Sequence, residues 1–123
     1  MKSIFILSIV VAIASVHAEE KYTTENDDLD IESVVTNLDT LTAFNGCFVD
    51  TVTCDPVAAD FKKDIAEAIE QACAKCTEAQ KHIFKRFLEA LKKDLPQNYE
   101  EFKNKYDPEG KHFAALEKAV AAS

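Results

Sequence analysis

The chain has 123 residues, 22 acidic against 14 basic, and a formal net charge of −8 at neutral pH. That balance excludes the lysine and arginine clusters that nucleic acids or anionic membrane surfaces require. It leaves neutral, apolar partners open.

Residues 1–18 have the three parts of a secretory signal. Lys2 supplies a positive start, Ile4 to Ile13 an apolar run, and Val16-His17-Ala18 a small-residue cleavage site. The run is too short to span a hydrocarbon core, which takes ~20 residues. The organisation read from this is a signal peptide at 1–18 and one domain at 19–123, without stable membrane insertion. Removing Lys2 with the leader takes the formal charge from −8 to −9.

The segment 19–30 is polar and acidic. Leu29, Val34, Val35, Leu38, Leu41, Phe44 and Phe48 then recur at helical spacing, as one helix or as two short ones broken near Thr36-Asn37. Asp55-Pro56 opens the next helix with a capping carboxylate and a proline in the first turn. Its apolar stripe is Val57, Phe61, Ile65, Ala68, Ile69 and Ala72, with Asp60, Lys63, Glu67 and Glu70 away from it. Thr77-Glu78-Ala79-Gln80 is a capping box, and Ile83, Phe84, Phe87, Leu88, Leu91 and Leu95 form the stripe behind it. Pro96 restarts the chain, Tyr99, Phe102 and Tyr106 share a helix face, and Asp107-Pro108-Glu109-Gly110 is a turn. Phe113, Leu116 and Val120 mark a last helix. No segment alternates at period two, so the fold class is all-α.

Four cysteines stand at Cys47, Cys54, Cys73 and Cys76. In an exported chain of this size an even count reads as a disulfide framework. Four cysteines allow three connectivities, and two local bridges, Cys47–Cys54 and Cys73–Cys76, fit the spacing best. An intact helix would hold the Cβ atoms of Cys73 and Cys76 ~5–6 Å apart, whereas a bridge needs ~3.5–4.5 Å. One helix must therefore end near Cys73 and another begin after Cys76. A four-thiolate zinc site conflicts with an oxidising compartment. A C-x-x-C redox centre wants a βαβ context that is lacking.

The cysteine spacing stands in register with three further motifs: Lys21-Tyr22-Thr23-Thr24, then Cys73 through Lys81 (CAKCTEAQK), then Lys105-Tyr106-Asp107-Pro108-Glu109-Gly110. Together they resemble the insect chemosensory protein family, also called OS-D-like, over about Lys21 to Leu116. Here Asn26 stands where the family often has tyrosine, and Tyr99 where tryptophan is common. The resemblance implies a bundle of about six helices around a hydrophobic channel, with the local bridge pairing given above for Cys47, Cys54, Cys73 and Cys76. It implies a secreted, soluble, non-enzymatic carrier of long-chain acids, alcohols, esters or similar semiochemicals, in sensillar lymph or another secretion. Relatives from non-sensory tissue are ascribed roles in development, defence or sequestration.

By the same resemblance Phe44 borders the channel and Tyr99 lies near its mouth. The stripes add Phe61, Ile65, Ile69, Ile83, Phe84, Phe87, Leu88 and Leu91 as inward-facing candidates. Tyr22 is a packed anchor of the N-terminal segment, and its hydroxyl or that of Tyr99 is placed to orient a polar head. Transfer of an alkyl chain from water should dominate binding, with weak head-group selectivity and a pocket in the lower part of the usual ~300–1,000 Å³ range.

No cofactor or metal site is indicated. His82 and His112 lack partner spacing, and Asp27, Asp28, Asp30 and Glu32 lack the glycine and spacing of a calcium loop. No serine and histidine stand in register with an acid, so no hydrolase is indicated. The competing reading is a secreted helical signalling protein with a full core and no exchangeable ligand. A chemoreceptor or another extracellular partner is left unassigned, and the high charge favours a monomer.

Overall fold

The computed structural model describes residues 20–123, so the signal peptide read at 1–18 lies outside the described residues. Among these, all regular structure is helical: α1 Ile31–Val35, α2 Leu38–Phe48, α3 Pro56–Glu70, α4 Glu78–Asp94, α5 Pro96–Tyr106 and α6 Phe113–Val120. Helix α4 is the centre of the bundle and packs against α1, α2, α5 and α6, while α3 closes on α2 and α6.

Helix boundaries follow local chemistry. The break between α1 and α2 falls at Asn37, whose side chain accepts a hydrogen bond from the Thr40 N–H at 3.2 Å. This cap resets the helical phase, so Leu38 points outward and is 54% exposed, contrary to its place in the apolar spacing. Asp55 caps α3 by accepting from Ala58 N–H at 2.8 Å, with Pro56 in the first turn. The capping box at Thr77 is complete: its hydroxyl accepts from Gln80 N–H and the Gln80 amide accepts from Thr77 N–H.

Both bridges are the local ones, Cys47–Cys54 and Cys73–Cys76, with Cα separations of 4.8 and 4.9 Å. The second demands a corner, and the chain supplies one. Ala72 and Cys73 adopt left-handed φ values of 52° and 60°. Ala72 therefore lies beyond the end of α3 rather than on its stripe. The first bridge closes the loop from Cys47 to Cys54, and Gly46 just before it lets that loop fold back onto α2, for a Cβ there would meet the Val52 side chain at 2.5 Å.

An aromatic cluster holds the α5 side together. Phe102 is fully buried, with its ring centroid 5.6 Å from Phe87, 6.0 Å from Phe113 and 5.1 Å from Tyr106. Tilted and edge-on pairs of this kind add about 0.5–1.5 kcal/mol each beyond area burial. Tyr106 donates its hydroxyl to the Phe48 carbonyl, tying α5 to the end of α2. Asp107 is buried and closes the next corner, accepting from the N–H groups of Lys111, His112 and Phe113 at 2.8, 3.0 and 3.0 Å.

Candidate functional site

Beside the aromatic cluster around Phe102, and sharing Phe48, Phe84 and Phe87 with it, lies a place where the helices do not meet fully. A cavity of about 70 Å³, partly open to solvent, lies between α2, α3, α4 and the segment leading into α1. Its apolar wall includes Phe44 and Phe48 from α2, Phe61 and Ile65 from α3, and Ile83, Phe84 and Phe87 from α4. Phe44 and Phe48, Phe61 and Ile65, and Ile83 and Phe87 are each one helical turn apart, with Phe84 beside the last pair, so a single face of each helix serves.

Of the ten candidates, Phe44, Phe61, Ile65, Ile83, Phe84 and Phe87 line this cavity. Ile69, Leu88, Leu91 and Tyr99 do not. Ile69, Leu88 and Leu91 are at most 2% exposed and serve the packed core. Tyr99 packs edge-on against Phe113 at 6.1 Å, with the ammonium groups of Lys92 and Lys103 each 5.4 Å from its ring centre. It therefore sits at the α5–α6 contact, away from the cavity.

Residues outside the ten complete the lining: Leu29, Ile31, Phe48, Ala68 and Cys76, with four polar side chains, Tyr22, Asp60, Asp64 and Gln80. The helical spacing puts Asp60 off the apolar face of α3, yet it borders the cavity beside Asp64 one turn later. The signal was there in the i, i+4 spacing of two carboxylates flanking Phe61 and Ile65. All four polar residues are half-buried.

The N-terminal segment crosses this side of the molecule as a strap held by polar contacts. Tyr22 N–H donates to the Lys75 carbonyl at 2.9 Å, and its hydroxyl donates to Glu67 Oε1 at 2.8 Å. Burial and the adjacent Glu67 carboxylate push the Tyr22 hydroxyl far above the usual phenol range. Asn26 donates to Asp60 at 2.8 Å. Asp27 accepts from the Thr77 hydroxyl at 2.9 Å and from the Gln80 amide at 3.1 Å, so the acidic segment clamps the capping box of α4. Among the described residues no group of three or more His, Cys, Asp or Glu side chains is arranged to hold a metal ion.

The two carboxylates at the cavity differ in state. Hydrogen bonds from Lys63 and Asn26 hold Asp60 below the usual carboxylate range. Burial lifts Asp64 above it, only partly opposed by Lys63, with Asp60 and Glu67 adding to the rise.

This bundle of six helices, two local bridges and a small aromatic-walled cavity has known counterparts. Residues 22–114 match the family described as insect pheromone-binding, A10/OS-D. The chain belongs to that family. Among OS-D relatives it is 29% identical over 109 residues to ejaculatory bulb-specific protein 3 of Drosophila melanogaster, covering 89% of this chain and 86% of the relative. It is 31% identical over 90 residues to allergen Tha p 1 of Thaumetopoea pityocampa, covering 73% and 71% of the two chains. Solved structures agree. A chemosensory protein in complex with bromo-dodecanol superposes with a TM-score of 0.73 at 32% identity, over 80% of this chain and 98% of the other. The antennal chemosensory protein A6 of the moth Mamestra brassicae gives 0.66 at 31% identity, over 82% and 94%. Membership makes this a binding protein by family, and among the described residues no helix is long and apolar enough to cross a membrane.

Proposed function

We propose that the protein is a secreted carrier that takes the alkyl chain of a small hydrophobic molecule into the cavity between α2, α3 and α4. The observation that carries this reading is the cavity itself: seven aromatic and aliphatic side chains from three helices face a shared space instead of interlocking. Support comes from the related chemosensory protein whose structure holds bromo-dodecanol. The acidic surface and the leader-like residues 1–18 suit an exported, soluble, monomeric protein. Phe44, Phe61, Ile65, Ile83, Phe84 and Phe87 are the contacts for the chain of the ligand.

Each methylene buried contributes ~0.8 kcal/mol, about fourfold in affinity. Displacement of a fluorescent apolar probe by straight-chain alcohols of increasing length should therefore tighten in steps of roughly that size, then stop at a defined length. A flat, unsaturable response would mean a closed core and would favour the signalling reading. Because the chain has no tryptophan, Phe44→Trp supplies a reporter on the cavity wall and Tyr99→Trp a matched one outside it. Ligand should shift the emission of the first and leave the second unmoved.

A further inference from the structure

The polar lining of the cavity has an uneven supply of donors and acceptors. Both donors it contains are already engaged within the protein. The Tyr22 hydroxyl donates to Glu67 Oε1 at 2.8 Å. Gln80 Nε2 donates to the Thr23 carbonyl at 2.8 Å and to Asp27 Oδ1 at 3.1 Å, while its carbonyl oxygen accepts from Thr77 N–H at 3.0 Å. Asp60 is engaged as well, with one oxygen taking Lys63 and the other Asn26. Asp64 differs: among the described residues its carboxylate takes part in no hydrogen bond or ion pair, although it borders the cavity and is half-buried. Among the described residues no lysine, arginine or histidine lines the space.

We propose that Asp64 is the head-group determinant of this cavity, selecting long-chain ligands whose head donates hydrogen bonds, ammonium before alcohol, and rejecting fatty acids. The proposal rests on the carrier reading above and names the ligand class of the same site. A primary alcohol can donate to an acceptor that has no partner of its own. An alkylammonium adds charge attraction and three donors. A carboxylate meets no free donor, and the one ammonium acting on Asp64, that of Lys63, is already paired with Asp60. The incoming head also faces a like charge where water is partly excluded, so repulsion is screened less than at an open surface. Burial raises the affinity of Asp64 for a proton, as expected for a carboxylate that lacks a compensating partner. Head-group selectivity is therefore strong, contrary to the expectation drawn from the apolar stripes alone.

Dodecylammonium, dodecanol and dodecanoate share one alkyl chain and separate the head from the tail. At pH 8 they should displace an uncharged apolar probe in that order, with at least a tenfold span from the amine to the acid. Asp64→Asn should compress the span below threefold, chiefly by admitting dodecanoate, while dodecanol stays within about twofold and far-UV circular dichroism is unchanged. The chain as a whole carries a net charge of −8, so Asp39→Asn, an exposed carboxylate outside the cavity lining, controls for general attraction of cations and should leave the span intact. Equal affinities for the three heads, or tightest binding of the acid, would overturn the proposal and leave the carrier reading standing. So would a span that Asp39→Asn compresses as much as Asp64→Asn does. Failure of all three to displace the probe would instead remove the carrier reading on which the proposal rests.

Discussion

Replacing Ala72 by glycine should stabilise this protein, against the usual sign of an alanine-to-glycine change. Helix α3 ends in two hydrogen bonds, Cys73 N–H to the Ala68 carbonyl at 2.8 Å and Ala72 N–H to the Ile69 carbonyl at 3.4 Å. That is a Schellman arrangement, and its left-handed position, here Ala72 at φ 52°, is one that glycine normally fills. An L-residue in this region costs about 1–2 kcal/mol for the contact of Cβ with the following carbonyl oxygen. Glycine removes that cost but gives the unfolded chain more freedom, which returns about 0.4–1 kcal/mol. The net gain should be about 0.5–1 kcal/mol, or roughly 2–6 °C in thermal midpoint for a domain of this size. Ala74 provides the matched control, since its φ is not left-handed. Ala74→Gly carries only the unfolded-state term and should lose about 0.4–1 kcal/mol. Urea unfolding of the three oxidised proteins measures both changes. If Ala72→Gly proved no more stable than Ala74→Gly, the corner would not be strained in the way its backbone angles imply.

Phe102→Ala should cost about 3–5 kcal/mol, since it empties a fully buried ring at the meeting point of α2, α4, α5 and α6; a loss below about 1 kcal/mol by urea unfolding would show that the cluster collapses around the gap. For Asp107 burial pushes the carboxyl up, but the N–H groups of His112, Phe113 and Lys111 outweigh it and hold the group below the usual range. A depressed carboxylate contributes stability that is present above its unfolded pKa of ~3.9 and is lost as pH falls through the lower folded value. The thermal midpoint of Asp107→Asn should accordingly lie below wild type by a constant amount at neutral pH, with the gap narrowing below about pH 4. A gap that persists undiminished to about pH 2 would contradict the assignment.

The helices and their corners were legible because their signals are local. Asn37 aside, each of the strong caps (Asp55 with Pro56, and the Thr77 box) can be read without tertiary information. Once Cys73 is paired with Cys76, the corner between them follows from the reach of a disulfide, and the Thr77 capping box marks where the next helix starts. What local pattern could not resolve was direction within the apolar set. Ile65 and Ile69 stand one turn apart on α3, yet one faces the cavity and the other is fully buried in the core. Their side chains are identical, so the difference lies wholly in what α2, α4 and α6 place opposite them. Tyr99 was assigned to the channel mouth through family resemblance, and the contact with Phe113 took it elsewhere. Asp107 read only as part of a turn, because the three N–H groups it satisfies lie four to six residues ahead, outside the usual capping spacing.

The size of the cavity bears on how a ligand is held. At about 70 Å³ it is roughly half of the ~150 Å³ found in an engineered cavity that admits benzene. A long alkyl chain must then enlarge the space by moving wall side chains, and each binding event carries that cost. The walls of the cavity are not equally able to move. Rings around Phe102 interlock with partners on α2, α4, α5 and α6, so displacing one strains several. Across the cavity, by contrast, the strap is held through half-exposed hydrogen bonds, donated by Tyr22 and Asn26 and accepted by Asp27, and water can replace those at little net cost. Enlargement should therefore be borne by the strap and by Phe61, which is only partly buried, rather than by the aromatic cluster, to which Phe84 also belongs. A fixed opening cost set against ~0.8 kcal/mol per methylene predicts a threshold: short alcohols bind undetectably, and affinity rises steeply once the chain is long enough to offset the opening. A gradual rise beginning from the shortest alcohols would show that the cavity is open before the ligand arrives.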